Sequence, residues 1–215
     1  MIAASCSRAG RALALAAALV ALAAGCGPVP RPEGAFEAAP DLLAEMAARR
    51  DAIESLRAAG RVDHFGEKHR VAGKAFVFLE RPRRLRIDLL SPFGSTLAVL
   101  TVDGDDFALA DFRENRFFEG PAEPCNLARL VQVPLPPEDA ARVLIGDTPV
   151  IDGARELEWL DEGRYRVTVR DGERVQRLDI DPDERVLALR RSRLDDGDGV
   201  VFDLSFDRWR PVGPG

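Results

Sequence analysis

The sequence predicts a mainly β protein of the α+β class: about eleven antiparallel strands, one helix in front of them and two short helices midway. Three observations carry this. From Arg61 onward, apolar and polar residues alternate with a period of two, the spacing of half-buried strands. Turn residues interrupt these runs at short intervals, as in consecutive hairpins. Only the stretch before them, residues 41–59, repeats at helical spacing.

The N-terminal residues fall into three zones. Arg8 and Arg11 give a basic start, Ala12 to Ala24 is an apolar run of 13 residues, and Leu22-Ala23-Ala24-Gly25-Cys26 closes the segment. This is the layout of a secretory signal with small residues at its cleavage site. As a helix the run is about 20 Å long, short of the roughly 20 residues that span a bilayer. The cysteine directly after the small residues resembles the lipobox of bacterial lipoproteins, with Ala23 where a Leu is usual. That resemblance implies that residues 1–25 are removed and that Cys26 is lipidated, becoming the new N-terminus of an extracytoplasmic protein.

Processing would leave 190 residues with a formal charge of −8 in place of −6, a length that suits one domain. The acidic balance argues against a nucleic-acid partner, which requires clustered Lys and Arg. Cys6 leaves with the signal and Cys26 is modified, so Cys125 has no internal disulfide partner and the fold depends on its core.

Residues 26–40, with four prolines and no periodicity, read as the lipidated cysteine and an extended tether. The domain proper is then 41–215. Asp41 is placed to N-cap a helix through Ala59, stopped by Gly60. Leu42, Leu43, Met46, Ile53 and Leu56 form one stripe of it, so this helix should cover a sheet.

Strands are expected at 61–66, 70–80, 83–91, 95–103, 106–112 and 114–118, then at 155–160, 164–171, 174–181, 185–193 and 199–207. Asp171-Gly172 and Asp181-Pro182-Asp183 are hairpin signals. In the last strand Val200, Phe202, Leu204 and Phe206 oppose Val201, Asp203, Ser205 and Asp207, giving one buried and one wet side. Between the two runs, Leu127, Leu130 and Val131 fit one short helix. Pro137-Glu138-Asp139 starts a second that ends at Gly146.

Two strands are apolar on both sides. Phe76 and Phe78 oppose Ala75, Val77 and Leu79, while Leu97 and Val99 oppose Ala98, Leu100 and Val102. Such strands need apolar matter on both faces. Helices can supply one; a second wall of packed core or a lipid-sized cavity can supply the other. Phe76, Phe78, Leu97, Val99 and Leu100 are the candidate cavity-lining residues.

Within residues 83–147 a more specific resemblance appears. The run Arg84-Leu85-Arg86-Ile87-Asp88-Leu89-Leu90-Ser91-Pro92-Phe93-Gly94-Ser95-Thr96-Leu97 resembles a strand–turn–strand segment of the outer-membrane lipoprotein receptor LolB family. Val133-Pro134-Leu135-Pro136 followed by Leu144-Ile145-Gly146 resembles that family's Pro-apolar-Pro segment and the helix end after it. The related soluble carrier LolA shares the fold but has an ordinary signal, so Cys26 favours the anchored member. The resemblance implies an open antiparallel half-barrel with a helical lid over an apolar cavity. That cavity would take acyl chains of lipoproteins from a periplasmic LolA-like carrier and release them into the outer membrane. The physics agrees, because each acyl methylene out of water is worth about 0.8 kcal/mol. The transfer needs no catalytic residue and no cofactor. Gly27 after the cysteine, in place of the Asp that retains enteric lipoproteins at the inner membrane, favours the outer membrane, periplasm-facing and lipid-anchored.

Pro92, Phe93 and Gly94 form the candidate membrane-insertion loop. Pro92 fixes one backbone angle and Gly94 permits a tight reversal, so Phe93 should sit at a hairpin tip. The matching position in LolB is a protruding leucine that engages membrane. The bland alternative is a Phe93 tucked onto its own domain.

Other signals are weaker. His64, Glu67 and His69 cross a turn at a spacing that resembles no established zinc pattern. Asp195 to Gly199 lacks the later Glu of a calcium loop and reads as an acidic hairpin turn. Cys125 beside Asn126 has no His in a supporting motif. Arg81, Arg83, Arg84 and Arg86 form a basic run that suits anionic lipid, an acidic carrier or plain solvent. No acid–base or nucleophile constellation points to an enzyme. The alternative to lipid handling is an accessory envelope lipoprotein using the same fold as a protein-interaction module.

Overall fold

A computed structural model describes residues 27–65, 70–124, 126, 136–182 and 187–209. Within them eleven strands form two open antiparallel sheets, with two helices, so the mainly β, α+β expectation holds. Helix α1 is Ala39–Asp51. The first sheet is a meander of β1 Ser55–Phe65, β2 Arg70–Glu80, β3 Arg84–Leu90, β4 Thr96–Asp103, β5 Asp106–Asp111 and β6 Arg116–Pro121. Helix α2, Pro137–Leu144, leads into the second meander: β7 Ala154–Leu160, β8 Arg164–Asp171, β9 Arg174–Pro182, β10 Leu187–Asp195 and β11 Val200–Ser205. Cys26, Glu67, His69, Cys125, the short helix expected around Leu127 to Val131, and Val133 to Leu135 lie outside the described residues.

Each sheet has its own core. In the first, pairing sets Leu56 against Leu79, Leu79 against Leu85, Leu85 against Val102, and Val102 against Phe107, an apolar row across five strands. Val77, Leu100 and Leu109 lie on the same face, and Ala122 with Ala141 and Ile145 of the α2 region packs against them. In the second, Tyr165, Val167 and Val169 of β8 join Leu178, Ile180 and Leu189 beneath Ala39 and Leu42 of α1. Each such side chain, fully buried, contributes about 1.5–3 kcal/mol. The leading helix therefore covers the second sheet.

The boundaries of α1 differ from the expected 41–59. It starts at Ala39, after an Ala38 with no side-chain cap, and Pro40 occupies the first turn, where its missing N–H costs nothing. Asp41 lies inside that turn and complements the helix dipole. The helix stops at Asp51, and residues 55–60 are strand. Their backbone groups pair with β2, whose outer edge would otherwise be bare, and Leu56 serves that sheet's core. Tertiary pairing overrides the helical spacing of Ile53 and Leu56.

The Pro-rich segment is laid against the second sheet at two points. Val29 N–H donates to Asp161 O at 3.0 Å, and Trp159 Nε1–H donates to Val29 O at 2.9 Å. Phe36 N–H donates to the Tyr165 hydroxyl at 3.0 Å, and the two rings meet edge-on. A buried polar network holds residues 147–151 in place. Gln176 donates to Pro149 O at 2.8 Å and to Ser192 Oγ at 3.0 Å, accepts from Ile151 N–H at 2.9 Å, and Thr148 Oγ1 meets Ser192 Oγ at 2.9 Å. Because every member is partnered, hydrogen bonds offset the cost of taking these groups out of water and the network specifies position. At the end of α2, Gly146 (φ +81°) turns the chain, with Asp147 N–H bonded to Arg142 O and Gly146 N–H to Val143 O. A Cβ there would lie 2.2 Å from the Trp209 ring, so glycine is required twice over.

Candidate interaction surface on the first sheet

The outer faces of the two sheets differ in chemistry. On the second, Arg166 pairs with Asp179 at 2.7 and 3.0 Å, Arg191 with Asp203 at 2.9 and 2.6 Å, and Arg190 with Asp181. This is a solvated charge ladder. On the first, the register runs Phe76 opposite Asp88, Asp88 opposite Val99, Val99 opposite Ala110, and Ala110 opposite Phe117. Phe76 and Phe78 are 37% and 40% exposed, and Phe117 64%. An outer sheet face facing only water would carry polar residues here.

The five candidate cavity residues therefore do not share a wall. Phe76, Phe78 and Val99 occupy the outer face, while Leu100 is buried in the core of the inner one. Leu97 falls in a bulge, where Thr96 pairs with Leu90 and Ala98 with Leu89. A groove of about 880 Å³ opens at the β2–β3 end of this sheet, and of the five only Phe78 lines it. Its apolar residues include Ile53, Leu56, Leu79, Leu85 and Val102, and eight of the 17 residues that line it are charged, Arg57, Arg81, Arg84 and Asp103 among them. The volume falls within the range of small-molecule sites.

Pro92, Phe93 and Gly94 sit at the opposite end of β3, roughly 23 Å away along seven extended residues. Gly94 N–H donates to Ser91 O at 3.0 Å, Ser91 N–H to Ser95 O at 2.7 Å, and Ser95 N–H to Ser91 Oγ at 3.1 Å. Gly94 adopts φ +90°. This turn is closed by its own hydrogen bonds and holds Phe93 outward, 97% exposed. The β5–β6 turn lies at the same end of the meander and presents Phe112, 59% exposed. Strand alternation does not single out Phe112 and Phe117; the signal in the sequence is a phenylalanine inside the turn run Asp111 to Asn115 and a second one just beyond it.

The basic run is engaged rather than free. Arg81 bonds Asp51 at 3.1 Å, Arg83 Asp105 at 2.5 Å, Arg84 Asp103 at 3.0 Å and Arg86 Asp88 at 2.8 Å. Hydrogen bonds donated to Asp103 and Asp88 hold the Arg84 and Arg86 guanidiniums further toward the charged form. Asp196 accepts from the N–H groups of Asp198 and Gly199, both at 3.2 Å, so its carboxylate closes the acidic turn. Among the described residues no group of three or more His, Cys, Asp or Glu is placed to hold a metal ion, and no helix is long and apolar enough to cross a membrane.

No family model and no curated protein matches this chain. Among solved structures it is similar to the GerS lipoprotein in the structure of the CwlD amidase from Clostridioides difficile in complex with GerS. The TM-score is 0.36 at 10% identity, over 84% of this chain and 100% of that one. A likeness that slight carries no argument, and function must be argued from this chain's own geometry.

Proposed function

We propose that this protein is an envelope lipoprotein that binds acyl chains of other lipoproteins and helps insert them into the outer membrane. The observation that carries the reading is Phe93, a large apolar side chain held almost wholly in water by a closed turn. A free aromatic at a rigid tip loses little entropy on entering a membrane and gains the burial of its ring. The groove at the other end of β3 is the candidate acyl site. Its cargo would arrive from a periplasmic carrier, and Cys26 would supply the anchor. The full chain, loaded with an acylated lipoprotein and offered phospholipid vesicles, should deliver its cargo. Phe93→Glu should retain cargo and lose delivery, because a carboxylate is costly among acyl chains. Undiminished delivery by Phe93→Glu would overturn the reading.

A second reading, a protein-interaction module, is favoured by the outer face itself. Phe76 and Phe78 are exposed apolar neighbours beside the Arg86–Asp88 ion pair, and Val99, Ala110 and Phe117 continue the row beyond Asp88, on a sheet whose opposite face is already filled. Loss of a bound protein partner from Phe76→Ser, with acyl delivery intact, would select it.

A further inference from the structure

We propose that the edge strand β1 pairs with β1 of a second copy, antiparallel about Gly60, joining two first sheets into one of twelve strands. The inference stands on the edge itself and does not depend on the lipid-handling reading.

A sheet edge is a template for pairing, and proteins blunt it with short strands, prolines, bulges, charged side chains or covers. Three of the four edges are so treated. β6 has six residues including Gly120 and Pro121, and β11 has six beside a bulge at Leu194/Asp195. β7 packs against α1, with Trp159 bonded to Val29. Among the described residues β1 has none of these devices except charge, carried by Arg57, Arg61 and Asp63. It is eleven residues long, free of proline, and pairs with β2 without a bulge. Ala58, Ala59, Gly60, Arg61 and Val62 are exposed on both of its faces. Among the described residues its backbone bonds to no strand but β2.

Charge selects the occupant. A two-fold axis perpendicular to the sheet keeps each face on its own side, so the register moves in steps of two. Centred on Gly60, all eleven residues pair, and Arg57 of each copy faces Asp63 of the other. Ala58 faces Val62 on the opposite face. A slip of two one way sets Arg57 against Arg61; a slip the other way sets Arg61 against itself. Opposed like charges are destabilising. The register with the longest overlap is thus also charge-complementary. Arg57 has no ion pair among the described residues. Asp63 has an interaction of its own, so Arg57 of the second copy would share a carboxylate, which accepts about four hydrogen bonds, rather than fill an unpaired one. At the axis, a Cβ on Gly60 meets nothing within 4 Å.

The test uses the full chain in its membrane with Cys125 replaced by Ser. Residues opposite each other across an antiparallel pair have Cα atoms about 4.5–5.5 Å apart, within disulfide range. Gly60→Cys should give a species of twice the mass on mild oxidation. Lys74→Cys, one strand inward, should not. In the Gly60→Cys background, Arg57→Asp or Asp63→Arg alone should cut the cross-linked fraction about fivefold to tenfold. The double exchange should restore it, which also shows that the single variants failed in pairing rather than in folding. A monomer at Gly60→Cys, a cross-link to a different mass, or single reversals without effect would each overturn the proposal.

Discussion

Arg50 Nη1 lies 2.6 Å from Asp147 Oδ2, joining the last turn of α1 to the chain leaving α2. Arg81 donates to Arg50 O at 2.9 Å and to Asp51 at 3.1 Å, so the end of β2 belongs to the same knot. Both ion-pair side chains are largely buried. Asp147→Ala should therefore lower unfolding stability by about 1.5–3 kcal/mol, the range for hydrogen bonds to charged groups. Urea denaturation measures it, and a shift of the midpoint without a change of slope is expected.

Acid should unfold the protein through its paired aspartates. Hydrogen bonds from Arg81 and Arg50 hold Asp51 below the ordinary carboxylate range, Arg193 does so for Asp195, and Arg191 for Asp203. Burial pushes Asp111 up, but hydrogen bonds from Arg113 and the backbone outweigh it. A carboxylate whose pKa is lower folded than unfolded contributes stability above its unfolded value, near 3.9, and that contribution is lost as pH falls through the folded one. Asp139, raised by burial, works the other way and favours the folded state at low pH. Four against one, the melting temperature should hold from neutrality to about pH 5 and fall below about 4. Salt should flatten the drop, since most of these pairs are exposed.

Phe78 and Leu79 are neighbours on opposite faces of β2, one 40% exposed and the other in the core. Leu79→Ala should cost about 2–5 kcal/mol, as core truncations do. Phe78→Ser should cost about 1 kcal/mol or less. Thermal melts of the two variants decide which face is core and which is surface.

Cys26→Ala should abolish acylation. Metabolic labelling with a fatty-acid analogue should mark the parent chain and leave the variant blank; label on the variant would end the lipobox reading.

The strands were legible because alternation is local. Val200 to Ser205 and the Ser91–Ser95 turn carry their conformations in adjacent residues. What alternation could not say is which face gets covered. Phe76 and Val77 look alike as apolar neighbours, and only the placement of Ala122 and Ala141 makes one core and the other surface. The end of α1 was misjudged for a similar reason. Ile53 and Leu56 keep helical spacing, yet the open edge of β2 takes residues 55–60. The docking of Val29 left no periodic trace, because it rests on one backbone pair and one indole N–H.

That docking sets a leash. If Cys26 carries acyl chains, only Gly27 and Pro28 separate the anchor from Val29, three Cα–Cα steps with a reach of at most about 10 Å. The β7–β8 corner would then be confined to a thin layer at the bilayer, where the domain could pivot but not wander. If Val29 lets go while Phe36 stays against Tyr165, the reach to Ala35 becomes about 30 Å. On a lipidated chain, two hydrogen bonds at Val29 would then set whether the domain stands on the membrane or ranges into the space beyond it.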